Sequence, residues 1–293
     1  MISPVKTYPV LSREPVMRLG HSAATVLVSV ILLGGATLLQ SDSVGRAMSA
    51  NELAWKVVSN ELKSQDEDQV HWMYRLEKGE SDKKQVQEII QTKYGYLSRL
   101  FPINGRLLDA KQRQKENQRI QRLVNHPDEQ RKLQQERNKK AEPGTRLFKI
   151  LPDAFVFDYA GREGKLTKLT FRPNPNFQPP SLEARVFHDM EGEMRIDIKQ
   201  ERMAGIAGQL MQEVKFGGGL LGHLDKGGKF EVRQAELAAG LWEMIDMCVD
   251  MKGKVLFFKT ITVQETEHRS DFYRVPDDLT LAEAAAMLNK PVV

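Results

Sequence analysis

Residues 171–216 read FRPNPNFQPPSLEARVFHDMEGEMRIDIKQERMAGIAGQLMQEVKF, and the fold turns on this stretch. It begins as a proline-rich arm. Pro173, Pro175, Pro179 and Pro180 fix φ and remove backbone donors, so the arm runs extended over a surface rather than inside a sheet. From Glu193 to Lys199 the pattern changes to strict alternation. Met194, Ile196 and Ile198 interleave with Glu193, Arg195, Asp197 and Lys199, the period of a strand with one wet face. A second strand follows, with Ala204, Ile206, Leu210, Val214 and Phe216 on one parity. Gly205 and Gly208 interrupt it where a sheet bends or bulges.

Strands of the same kind lie on both sides. Upstream, Val70, Trp72, Tyr74 and Leu76 alternate with polar residues, and the polar turn KGESDKKQ leads to a second alternating run, Val86 to Tyr94, so the two form a hairpin. Tyr96 to Phe101 reads as a third strand, ended by Pro102 and Asn104-Gly105. After Pro143-Gly144 the chain is expected to return to strands, with Phe155, Phe157 and Tyr159 on one face and Leu166 to Phe171 next. Downstream, Leu241 to Met251 and Lys254 to Gln264 flank Lys252-Gly253. A two-residue turn there would pair Val249 with Leu256, Met247 with Phe258 and Ile245 with Thr260 on an apolar face. The other face would pair Cys248 with Phe257 and Asp246 with Lys259. Two helices complete the pattern: Asn51 to Lys63, with Leu53, Val57, Val58 and Leu62 at helical spacing, and Leu279 to Leu288, with Leu281, Ala284, Ala285 and Leu288 free to dock. These elements predict an α+β fold, a large curved antiparallel sheet (a half-barrel) covered by helices.

Residues 107–142 differ in kind, being rich in Lys, Arg, Gln and Glu and therefore helical by propensity. The piece NHPDEQ divides them: Asn125 or His126 can cap, Pro127 suits a first helical position, and Asp128 and Glu129 suit the positive helix end. The expectation is a protruding polar helical pair inserted into the domain. Ten Lys and Arg stand here against six Asp and Glu, a net of +4 that equals the formal charge of the whole chain, so basicity is local to this insertion. Arg113, Arg119, Arg122, Arg131 and Lys132 are the candidate contacts to an anionic membrane surface or an envelope protein. Nucleic acid is not expected, because no aromatic residues interleave the basic ones.

At the N-terminus Lys6, Arg13 and Arg18 precede an uncharged apolar run, Ala23 to Leu39, followed by small and polar residues to Ala50. This is the pattern of a secretory signal cleaved after Ala47 or Ala50, or of an uncleaved membrane anchor, and either exports residue 51 onward. The domain reading is accordingly 1–50 as signal or anchor and 51–293 as one exported α+β domain. Cys248 is the single cysteine, so no intramolecular disulfide and no all-cysteine zinc site can form.

The runs RPNPNFQPPSLEARVFHDMEG, IDIKQERMAGIAGQL, VKFGGGLLGHLDKGGKF and MKGKVLFFK resemble a family of predicted-exported bacterial proteins of acidobacterial type, over residues 51–288. That family has no established activity, so the resemblance carries over no functional residue. More remotely, the strand pattern is similar to the periplasmic lipoprotein-carrier (Lol-type) superfamily, which implies a half-barrel around a greasy cavity capped by helices.

Catalytic signatures are missing from the sequence. The six histidines have no HxH or HExxH spacing, no G-x-S-x-G elbow is present, and Gly217 to Gly228 puts His223 and Leu224 where a phosphate loop needs Lys and Ser or Thr. His188, Asp189 and Glu191 could be read as an acid–base cluster, but a turn before Gly192 explains them equally well. No enzyme activity, cofactor or metal is expected. Met190, Met194, Met203, Met211, Met244, Met247 and Met251 instead crowd the β-rich half, where methionine suits a surface that adapts to apolar ligands. The expected function is binding of a lipid or lipoprotein acyl chain, as carrier or sensor, by Met194, Ile196, Ile198, Ile245, Met247, Val249, Leu256 and Phe258. The alternative is a non-enzymatic envelope interaction protein with a filled core and a basic helical contact surface.

Overall fold

The computed structural model describes residues 48–67, 70–80, 83–101, 108–219, 221–255 and 259–289; the apolar run Ala23 to Leu39, Leu256 and Phe258 lie outside them. In chain order the elements are α1 (Ala50–Glu67), β1 (His71–Glu80), β2 (Lys83–Thr92), β3 (Gly95–Phe101), α2 (Ala110–Asn125), α3 (Pro127–Ala154), β4 (Phe155–Glu163) and β5 (Leu166–Pro173). Then come α4 (Leu182–His188), β6 (Met190–Asp197), β7 (Arg202–Leu210), β8 (Val214–Phe216), β9 (Gly222–Leu224), β10 (Lys229–Ala238), β11 (Leu241–Val255), β12 (Lys259–Val275) and α5 (Leu281–Leu288). The strands form one open antiparallel sheet in the order β3-β2-β1-β12-β11-β10-β7-β6-β5-β4, with β8 and β9 added beside β11. No helix among the described residues is long and apolar enough to cross a membrane.

α1 starts in a reciprocal cap, Ser49 N–H to Glu52 Oε2 at 2.7 Å and Glu52 N–H to Ser49 Oγ at 3.2 Å. Its stripe of Leu53, Ala54, Val57 and Val58 is buried against Phe155, Phe157, Leu169, Phe171, Met194 and Ile196 of β4–β6. A second core lies on the opposite face of the sheet at its other end. There Ile90 and Leu97 meet Ile120 and Leu123 of α2 and the four expected residues of α5, Leu281, Ala284, Ala285 and Leu288. The faces are told apart by pairing: Met73 opposes Ile90 toward α5, while the next pair, Tyr74 with Ile89, points the other way to Phe272.

The polar insertion is docked rather than protruding. β3 is an edge strand, and α2 and α3 satisfy three of the backbone groups it leaves unpaired. Leu100 N–H donates to Glu116 at 3.1 Å, Arg119 donates to Ser98 O, and Gln130 and Arg137 donate to Tyr96 O at 2.8 and 3.2 Å. This explains why residues that look solvated are buried: Glu116 is 7% and Gln130 0% exposed. α3 also continues through Pro143, where the sequence reading ended it. Proline forfeits one hydrogen bond to the preceding turn, but Phe148 and Leu151 beyond it pack into the α1 core and hold the helix on course to β4.

α3 therefore reaches from one sheet edge to the other. From Gln130 at β3 to Leu151 at β4 the helix rises about 32 Å, whereas ten flat strands would set their edges about 43 Å apart. The sheet curls to bring its edges under the helix.

Three readings are corrected at the C-terminal half. The β11–β12 turn follows Val255 instead of falling at Lys252-Gly253, so Cys248 opposes Thr266, Asp246 opposes His268, Val249 opposes Glu265 and Met247 opposes Glu267. Gly253 serves a different purpose: β9 crosses so close that a Cβ there would lie 2.2 Å from His223 O. β10 was not read as a strand; it inserts between β7 and β11. Finally, Leu182–His188 is a helix capped by Ser181, whose Oγ accepts from Ala184 N–H at 3.1 Å. His188 and Asp189 close that helix, and the His188 ring nitrogen meets Asn174 O at 2.9 Å.

Candidate functional site

Between the two cores, over the central strands β10 and β11, the packing opens. An apolar groove of about 670 Å³ runs between β6, β7, β10 and β11 and the helices α1, α3 and α4. Its size falls within the usual range for small-molecule sites. The floor is Met203, Ile206, Phe230, Val232, Met244, Val249 and Met251; the roof is Leu147, Phe148 and Leu151 of α3, with Val186 and Phe187 of α4 at the side. The opening follows from where the apolar stripe of α1 stops. Leu62 is its last large apolar residue, and the next turn brings the polar Gln65 to the lining instead.

At the threshold of the groove Glu61 is nearly fully buried. Its carboxylate grips Arg202 of β7 at two points, 2.8 and 3.2 Å, and also accepts Met203 N–H at 2.9 Å. Arg202 adds a bond to Ser64 Oγ at 3.2 Å. The pair fixes α1 to β7, and with it one wall of the groove.

The residues expected to line a cavity divide. Val249 does so. Met194 and Ile196 are 0% exposed in the α1 core, while Ile198 lies beyond the end of β6 in a turn and is 42% exposed. Ile245 is the extra residue of a bulge, since Met244 opposes Gln234 while Asp246 opposes Arg233. The bulge moves Met244 onto the side of Val249 and Met251. Met247, half-buried, opposes Val232 and so shares the face of Val249, but it is not part of the groove's lining. Met190, Met203, Met244 and Met251, absent from the expected lining, all line the groove: parity with Val249 already put Met251 on this face, whereas parity puts Met203 and Met244 on the other. The clustering of methionine in the sequence was the signal that contained them.

The five basic residues also divide. Arg119 pairs with Glu116 and Ser98 O, Arg122 with Glu129 at 2.7 Å, and Arg131 with Asp128. Arg113 and Lys132 are exposed and form no ion pair among the described residues. Three of the five are thus paired with carboxylates of the same helices.

The opposite face of the sheet carries a polar groove of about 630 Å³. Asp246 there accepts from His268 Nδ1 at 2.7 Å and from Arg233 at 2.5 Å. Burial works to raise the Asp246 carboxyl, but His268 and Arg233 outweigh it and hold the group below the usual range. Cys248 shares this groove as a free, half-buried thiol, yet no hydrogen bond joins it to His268, so the nucleophile–base contact of a cysteine hydrolase is not made. Glu213, His223 and Asp225 bring three potential ligand atoms within 4.8 Å of one another on the β8–β9 flap, the one such group among the described residues. The ammonium of Lys215, 3.4 Å from Glu213, already meets one of those carboxylates.

Comparison with protein-family models, curated proteins and solved structures finds no match.

Proposed function

We propose that the protein binds a hydrophobic ligand, a lipid or the acyl chain of a lipoprotein, as a carrier or sensor in the cell envelope. The observation that carries this reading is the methionine-floored groove. Four flexible, polarizable side chains, Met190, Met203, Met244 and Met251, line an apolar space of about 670 Å³ that the protein's own core does not fill. Export is supported by the charged, apolar and small-residue pattern of residues 1–50. The resemblance to the lipoprotein-carrier superfamily adds support at the level of fold alone. A contact protein that works through a basic helical face has less behind it, because Arg119, Arg122 and Arg131 are spent on internal partners.

The test is photocrosslinking of the full chain in a Gram-negative host fed a diazirine palmitate, with labelled peptides mapped by tandem mass spectrometry. Label is expected in segments 203–206 and 244–251, reduced at least tenfold in Met251→Glu. Label confined to residues 1–47, or none at all, sinks the proposal.

A further inference from the structure

A polar chamber of about 420 Å³ adjoins the apolar groove on the same side of the sheet. Four residues line both spaces: Glu61 and Gln65 of α1, Gln234 of β10 and Met244 of β11. Beyond them the walls change character, from methionine and phenylalanine to Ser64, His71, Gln91, Thr92 and Gln134. α3 roofs both, contributing Gln134 at the polar end and Leu147 at the apolar end, about 20 Å apart along the helix. A ligand lying under α3 thus meets an apolar half and a polar half in turn.

The charges in the polar half select the head. Arg202 is the one Lys or Arg among the described residues that line the chamber, and Glu61 already holds its guanidinium at two points. Among those residues, a phosphate or carboxylate finds no Lys or Arg beyond the one that Glu61 already holds. The side-chain amides are differently placed. Gln65 and Gln234 make no side-chain hydrogen bond among the described residues, and Gln91 uses its carbonyl to accept Trp72 N–H at 2.9 Å, which leaves its NH₂ for another partner. An amide both donates and accepts, as does a hydroxyl.

Resting on the reading of the groove as a hydrophobic ligand site, we propose that the ligand is an amphiphile with an uncharged, hydroxyl- or amide-bearing head. The tail lies over Met203, Met244 and Met251, and the head bonds to Gln65, Gln91 and Gln234.

Three diazirine dodecyl probes test this on the full chain held in amphipol, differing only in the head: glucoside, phosphate and trimethylammonium. The expected result is glucoside labelling of segments 203–206 and 244–251 at a half-saturating concentration at least tenfold below that of either charged probe. Gln234→Leu, and independently Gln65→Leu on the exposed side of α1, are expected to erase that preference while labelling by the phosphate and trimethylammonium probes is unchanged. Equal labelling by all three probes, or preference for a charged head, overturns the inference and leaves the apolar site standing. Absence of label from both segments with every probe overturns the apolar site and the inference together.

Discussion

The buried side-chain amide of Gln130 donates to the backbone carbonyl of Tyr96 at 2.8 Å, so a helix side chain stands where the N–H of a neighbouring strand would be. The same substitution of side chain for strand recurs along β3 at Ser98 and Leu100. Burial works to raise Glu116, but Arg119 and the Leu100 N–H more than offset it, so the carboxylate stays ionised to accept that bond. The polarity of α2 and α3 is therefore an adaptation to a strand edge.

Removing those donors should expose the edge. Gln130→Leu with Arg137→Leu leaves Tyr96 O unpaired, which costs about 1–3 kcal/mol, and opens β3 to pairing with another copy. Sedimentation velocity on the double variant should give concentration-dependent dimers and larger species. A monomer at every concentration tested would mean that something else guards β3.

Glu61 and Arg202 form the most buried ion pair of the groove, with side chains 4% and 12% exposed. Glu61→Gln strands the guanidinium and should lower unfolding stability in urea by about 3–5 kcal/mol. Glu61→Met with Arg202→Met should recover most of that loss, since two apolar side chains leave no charge uncompensated. If the double variant is as unstable as the single one, the pair does more than compensate charge.

Methionines of the two environments should separate cleanly. Met194 is 0% exposed in the α1 core, so Met194→Ala should cost about 2–5 kcal/mol. Met251 borders open space, and Met251→Ala should cost less than Met194→Ala, because its loss enlarges a groove instead of opening a cavity in a packed core, while changing the fluorescence of an apolar dye bound in the groove. Equal costs at the two positions would show that the groove is closed in solution.

Asp197 sets an acid limit. Burial alone would raise its carboxyl, but Lys165 at 3.2 Å and the backbone N–H groups of Gln200 and Lys199 at 3.3 and 3.1 Å prevail and depress it. A carboxyl depressed on folding contributes stability that is complete above the unfolded value, about 4, and fades as pH falls through the folded one. Asp197→Asn should have a lower urea midpoint than wild type at pH 7 and approach it at pH 2.5. Parallel profiles across that window would assign the acid sensitivity to other groups.

How much of this could be read in the sequence depended on whether local chemistry or tertiary contact decided each element. The alternation from Glu193 as far as Asp197 and the α5 quartet Leu281, Ala284, Ala285 and Leu288 were legible, because one buried face imposes its period on the chain, whereas Ile198 and Lys199 fall in the turn beyond β6. His126 with Pro127 gave the α3 start for the same local reason. Gly253 misled, because a glycine required by a crossing backbone looks like a glycine required by a turn. Ile245 misled because a bulge inverts parity without leaving a mark in composition. The groove lay beyond the sequence, since it is defined by where α1 runs out of apolar side chains above strands that are remote in the chain.

The sheet order also sets a timetable. β1 has β2 on one side and β12 on the other, and His71 finds its partner Val275 about 200 residues later. The β1–β3 meander, made first, joins the rest of the sheet only through the last strand made. A ribosome-bound chain consequently holds a stack of unjoined hairpins, and assembly starts in earnest only when residue 275 is free. Truncation ahead of β12 would leave two separate sheets without the strand that joins them.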